Sequence, residues 1–175
     1  MQFVKGSEDK KLRLSADNLH VIKWFVYASF AVHLGFKSHT RAVMTMGCGV
    51  IQLCLSKQKL NKQSSCKAEL VAVDDVATKV LWTKQFLEQQ GYKIEQNILY
   101  QDNKSTILLL TNEKRSSRKR THALNIRYFF MHNQQQKGNV SIAYCLTRKM
   151  TGDFMTKPKN GQAYRKFSDD IMGVT

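Results

Sequence analysis

The chain has 175 residues, and 28 Lys+Arg against 13 Asp+Glu give it a formal net charge of +15. Hydrophobic residues at 42% and aromatics at 10% exclude a chain that must stay disordered, and a single proline excludes a Pro-rich array, so one compact domain with an ordinary core is expected. No apolar run approaches the roughly 20 residues of a bilayer-spanning helix, and Met1-Gln2-Phe3-Val4-Lys5-Gly6 lacks the apolar stretch of a signal peptide, so an intracellular location, cytoplasmic or nuclear, away from membranes is expected.

The first 18 residues mix charges with Gly6-Ser7 and show no clear periodicity; they read as a lead-in without a core of its own. From Val21 to Val32 the run VIKWFVYASFAV is β-branched and aromatic, which predicts a largely buried strand. Arg41–Met46 and Val50–Leu55 are two further strand-like runs, and Gly47-Cys48-Gly49 between them is a hairpin signal. Ser64-Ser65 then offers an N-cap to a long amphipathic helix carrying Leu70, Val73, Ala77, Val80, Leu81 and Leu87, which Gly91 stops. A short strand follows at Asn97–Gln101, with Asp102 at its end. Helices are expected at Ser105–Thr111 and about Thr121–Gln135, then a strand at Val140–Cys145 and helical turns from Met150 onward. Strands joined by hairpins should be antiparallel and those separated by helices parallel through right-handed crossovers. The expected fold class is therefore α/β: a mixed five-stranded sheet, three antiparallel strands then two parallel ones, flanked by helices.

Charge and cysteines narrow the partners. Asn18 to Ala68 contains no acidic residue, and Lys114-Arg115-Ser116-Ser117-Arg118-Lys119-Arg120 packs five cations into seven positions. A field of this sign draws polyanions, nucleic acid first, and the run, with serines but no aromatics, suits phosphate contact without base reading. Its plain alternatives are a solvated loop or a nuclear-localisation signal. Cys48, Cys54, Cys66 and Cys145 have no CxxC spacing, which argues for reduced, mostly buried thiols over a zinc or redox site. Tyr128, Phe129 and Phe130 are consecutive on a helix, so at most two can face the core together, and core packing is expected in preference to stacking on bases.

Acids are scarce, so their positions inform. Glu69 falls in the first turn of the long helix, where favouring the helix dipole is its plain role. Asp102 stands at the C-terminal end of a strand, where α/β sheets bind ligands, or else in a helix N-cap. Asp153 is either a first-turn acid or a third carboxylate. Three acids from a helix start, a strand end and a late helix suit a hard divalent cation held together with substrate phosphates.

The stretches Leu19-His20-Val21-Ile22-Lys23-Trp24, Ser38-His39-Thr40, Lys57-Gln58-Lys59-Leu60-Asn61, Ala68-Glu69-Leu70-Val71-Ala72, Asp102-Asn103-Lys104-Ser105, Lys119-Arg120-Thr121, Asn125-Ile126-Arg127-Tyr128-Phe129-Phe130 and Thr156-Lys157-Pro158, in this order, resemble the ribonuclease H domain at the C-terminal end of copia-type retrotransposon polyproteins. The resemblance spans nearly the whole chain. It implies a ribonuclease H-like fold over residues 19–175, and residues 1–18 as the remnant of a connection to an upstream reverse transcriptase, because Phe3-Val4-Lys5-Gly6 is similar to the tail of that connection. It also implies metal-dependent cleavage of RNA in RNA–DNA hybrids, with Mg²⁺ or Mn²⁺ as cofactor and Glu69, Asp102 and Asp153 as three of four metal-binding acids.

The fourth acid is missing. Where the family carries an Asp in a pattern like V-D-A-S-F-A-V-H, this chain has Val26-Tyr27-Ala28-Ser29-Phe30-Ala31-Val32-His33. A phenol with a reference pKa of about 10 supplies no anionic oxygen to bridge two cations. Arg41, Lys67 and Arg148-Lys149 also stand where the family has small or acidic residues, and Ala123 stands where it has a His. Such changes oppose the collection of cations. The resemblance therefore implies a nucleic-acid-binding domain with impaired or lost catalysis; an active endonuclease, and a remnant or protein-interaction domain, are the competing readings.

Overall fold

The computed structural model describes residues 10–29, 37–59, 64–111, 122–147, 150 and 161–174. Its strands are β1 (Ser15–Ala16), β2 (Val21–Ser29), β3 (His39–Thr45), β4 (Gly47–Cys48), β5 (Gln52–Lys57), β6 (Gln96–Gln101) and β7 (Ser141–Tyr144). Its helices are α1 (Ser65–Gln89), α2 (Lys104–Thr111), α3 (His122–Gln136) and α4 (Gly161–Met172). The main sheet has the order β5-β3-β2-β6-β7. β2 pairs antiparallel with β3 and β3 with β5, whereas β2 and β6, and β6 and β7, run parallel. This is the expected mixed sheet, with its first long strand in the centre.

Alternation along β2 sorts its side chains. Ile22, Trp24 and Val26 are fully buried and join Leu70, Val73, Val76, Ala77 and Val80 of α1 in one core. Leu99 of β6, Leu110 of α2 and Met131 of α3 extend that core, so α1, α2 and α3 share one face of the sheet. The other face carries Lys23, Phe25 and Tyr27, with Tyr27 opposite Arg41 and Phe25 flanked by Val43 and Tyr100. Ser64 caps α1 as expected, accepting the Lys67 N–H at 3.3 Å. At the far end Gly91, with φ +90, lets the chain leave the helix in the left-handed conformation.

Three expectations change. The Gly47-Cys48-Gly49 turn is not a bare hairpin: Gly47–Cys48 forms a two-stranded ladder with Ser15–Ala16. Part of the lead-in is thus integral to the fold. The Arg13 N–H donates to the Met172 carbonyl at 2.7 Å, and the Val50 N–H to that of Ile171 at 3.0 Å. Gly49 and Gly173, both at positive φ, flank the Arg13 carbonyl so closely that a Cβ on either would collide with it. None of the four cysteines forms a disulfide, and only Cys54 is buried; the other three are half-buried. On α3, Phe129 and Phe130 are 43% and 41% exposed, and Met131 fills the core in their stead. Asp153 and the run containing Lys114, Arg115, Arg118, Lys119 and Arg120 lie outside the described residues.

Candidate active site

Glu69 lies one turn into α1, on the side pressed against the sheet, and its side chain is buried there. Its carboxylate does not serve its own helix. Oε2 instead accepts the backbone N–H of Ala28 on β2 at 2.8 Å, directly after Tyr27. The dipole role that position alone suggests is overridden by an inter-element bond.

Asp102 stands immediately past β6. The capping of α2 falls to its neighbour: Asn103 Oδ1 accepts the Thr106 N–H at 3.1 Å. Asp102 is thereby left to face the site, where its Oδ2 accepts the Thr147 hydroxyl at 2.9 Å.

Gln101, fully buried at the end of β6, joins the two acids. Its Nε2 donates to Glu69 Oε2 at 3.2 Å, and its Oε1 accepts the backbone N–H of Asp102 at 2.9 Å and of Asn103 at 3.3 Å. Sequence reasoning overlooked this residue. The available signal was a glutamine at the last position of an apolar strand, on the alternation that points toward α1. We expect Gln101→Leu to cost about 2 to 4 kcal/mol by leaving two strand-end N–H donors without their acceptor and Glu69 Oε2 with one donor fewer, measured as lowered stability in urea unfolding.

The electrostatics follow from this packing. Burial, and next the charge of Asp102, push the Glu69 carboxyl up from 4.5 to about 8; the hydrogen bonds from Ala28 and Gln101 oppose the rise without cancelling it. The ion pairs Lys10–Asp169, Lys23–Asp17, Lys84–Glu88 and Lys93–Glu95 involve neither acid. Two carboxylates that disfavour each other's charge fit a divalent cation, which would relieve their repulsion. Among the described residues they have no third His, Cys, Asp or Glu beside them to complete a metal-holding group. Tyr27, 5% exposed, follows Val26 on the central strand, one residue before the Ala28 N–H that Glu69 accepts. The structure thus brings Glu69, Asp102 and the Tyr27-Ala28 step of β2 to one end of the sheet.

No protein-family model matches the chain. It is 25% identical over 173 residues to a retrovirus-related Pol polyprotein from transposon RE2 of Arabidopsis thaliana, covering 98% of this chain and 12% of that protein. It is 26% identical over 126 residues to the corresponding polyprotein from transposon TNT 1-94 of Nicotiana tabacum, covering 71% of this chain and 9% of the relative. The chain therefore spans only about an eighth or less of the length of these relatives. Among solved structures, LC11-RNase H1, isolated from compost by a metagenomic approach, superimposes with a TM-score of 0.52 at 11% identity, covering 74% of this chain and 87% of that one. The same enzyme in complex with RNA/DNA hybrid gives 0.52 at 8% identity, covering 75% and 91%. At such identity the likeness shows the fold alone, and the fold is ribonuclease H-like.

Proposed function

We propose that the chain is a ribonuclease H-like domain of a copia-type retroelement polyprotein that binds nucleic acid, RNA–DNA hybrid foremost, and whose cleavage chemistry is impaired at Tyr27. The observation that carries this reading is the Glu69–Gln101–Asp102 network closing onto β2 at Ala28, one residue past Tyr27. It keeps two carboxylates together at the end of the sheet, tied to the strand that carries Tyr27. Similarity to Pol polyproteins and the fold of a hybrid-binding enzyme support the substrate class. The charge of +15 supports the mode of binding, with Lys114, Arg115, Arg118, Lys119 and Arg120 as phosphate contacts. Residues 1–18 are, in this reading, the end of a connection to an upstream reverse transcriptase.

A divalent cation, Mg²⁺ or Mn²⁺, would be held by Glu69 and Asp102, with Asp153 as the third acid, and would supply charge stabilisation to a phosphodiester under attack. Gln101 orients Glu69, and Thr147 orients Asp102. Tyr27 withholds the anionic oxygen that a second cation needs. Stable binding with little or no turnover is the chemical consequence.

Two measurements test the reading together. With labelled RNA–DNA hybrid and Mg²⁺ or Mn²⁺, cleavage by the parent is expected to match that by Glu69→Gln; cleavage abolished by the substitution would establish the active-endonuclease alternative. Hybrid affinity is expected to fall by about 10³-fold or more between 50 and 200 mM salt if six or more phosphates are contacted. An affinity that does not change with salt would leave the remnant or protein-interaction reading.

A further inference from the structure

The sheet face opposite α1 carries a feature that the acidic site does not use. Phe25 of β2 and Tyr100 of β6 are register partners, and their rings stack with centroids 4.9 Å apart and planes 17° apart. The next residue in the same row, on β7, is Ala143, which contributes a methyl group where a third ring would stand. A cavity of about 680 Å³ opens here, lined by Lys23, Phe25, Tyr100, Tyr144, Cys145 and Leu146. Phe25 and Tyr100 are half-buried, held by the sheet on one side and open on the other. One cation lines the cavity and a second sits over the ring of one of its lining residues. Lys23 forms part of its wall and shares its charge with the exposed Asp17 at 3.1 Å. Lys104 sits 5.2 Å above the ring of Tyr144.

From this arrangement we infer that the Phe25–Tyr100 face is a stacking subsite for an unpaired base of a nucleic-acid strand, its phosphates drawn by Lys23 and Lys104. The inference rests on the nucleic-acid-binding reading above and adds to it a mode of contact that the basic run, which has no aromatics, lacks. Rigid rings preset on adjacent strands lose little freedom when a base stacks on them, and every base offers a π-face, so the subsite tolerates any sequence. The occupant is singled out by two demands made together: a flat apolar surface for Tyr100, and negative charge for the lysines of a chain carrying +15. A paired base buries its faces within its own duplex. An unpaired strand, as at a hybrid end or an overhang, meets both demands.

The test uses the full chain and two fluorescein-labelled probes of about 12 nucleotides, an oligouridylate and an abasic phosphodiester of equal length, titrated at fixed salt and read by anisotropy. The parent is expected to bind the oligouridylate roughly tenfold more tightly than the abasic strand. Tyr100→Leu is expected to erase that preference while leaving the abasic affinity unchanged, and Tyr100→Phe, which keeps the ring face, to retain it. Phe25→Leu provides a second removal of the stack, and thermal melting establishes that each variant is folded. A parent that binds both probes equally overturns the stacking subsite and leaves charge-driven binding standing. Folded Tyr100→Leu and Phe25→Leu variants that keep the preference overturn it as well. A parent that binds neither probe overturns the subsite and the nucleic-acid-binding reading alike.

Discussion

Raising the pH from about 5 to about 9 is expected to remove on the order of 4 kcal/mol of folding stability through Glu69 alone, and Glu69→Gln to abolish that loss. In the unfolded chain this carboxyl ionises near its ordinary 4.5; in the folded chain, buried and beside Asp102, it holds its proton to about 8. Between those values the native state binds a proton that the unfolded state has released, so stability falls as pH rises. The contribution is full below the lower value and gone above the upper one. The side chain is buried, so solvent screening discounts little of it. Urea unfolding of the parent and of Glu69→Gln across this range checks the prediction, and parallel stability curves would assign the loss to other groups. Saturating Mg²⁺ should flatten the parent's curve, because a cation between Glu69 and Asp102 favours the ionised form.

Tyr27→Asp is expected to raise metal-dependent hybrid cleavage from background by about two orders of magnitude, the equivalent of about 3 kcal/mol of charge stabilisation. The substitution returns an anionic oxygen to the strand that already holds Glu69 at Ala28. It also removes a buried ring and adds a third carboxylate to a pair that already repel, so the metal-free variant should be destabilised by about 3 kcal/mol or more. Arg41, the register partner of Tyr27, can pair with the new carboxylate and so compete with a cation for it. Magnesium at about a hundred times its dissociation constant should restore about 2.7 kcal/mol to Tyr27→Asp, a rise of roughly 5 to 10 °C in melting temperature, with a smaller rise in the parent. Equal shifts in the two proteins, with no gain in cleavage, would show that the site is not organised around position 27.

The sheet was legible in the sequence because its signals are local. Ile22, Trp24 and Val26 announce a strand packed on one face, and Ser64 and Gly91 mark the ends of a helix whose stripe is apolar. What escaped depended on contacts between distant segments. Nothing near Ser15–Ala16 indicates a partner at Gly47–Cys48, since two-residue ladders have no periodicity to read. Glu69 resembled a dipole-stabilising residue because the N–H it accepts lies on a strand 41 positions earlier. Gln101 carried a pattern signal, its inward alternation at a strand end, but its double role rests on three-dimensional closure. On α3 the sequence showed that the consecutive aromatics could not all turn inward, but not that the flexible, unbranched Met131 would take the core position while Phe129 and Phe130 stay exposed.

The close seat of Arg13 between Gly49 and Gly173 bears on the order in which the molecule assembles. Its bond to Met172 closes nearly the whole chain into one loop, whereas the β2–β3–β5 meander is built from neighbouring segments. Loop-closure entropy therefore defers the seat until the sheet and α1 have formed, and lets it open first when stability is lowered. In hydrogen exchange the amides of Arg13 and Val50 should behave as one cooperative unit, exchanging together and well before those of β2. A protein built this way can release both of its flanks as a single event while the Glu69–Gln101–Asp102 network stays closed.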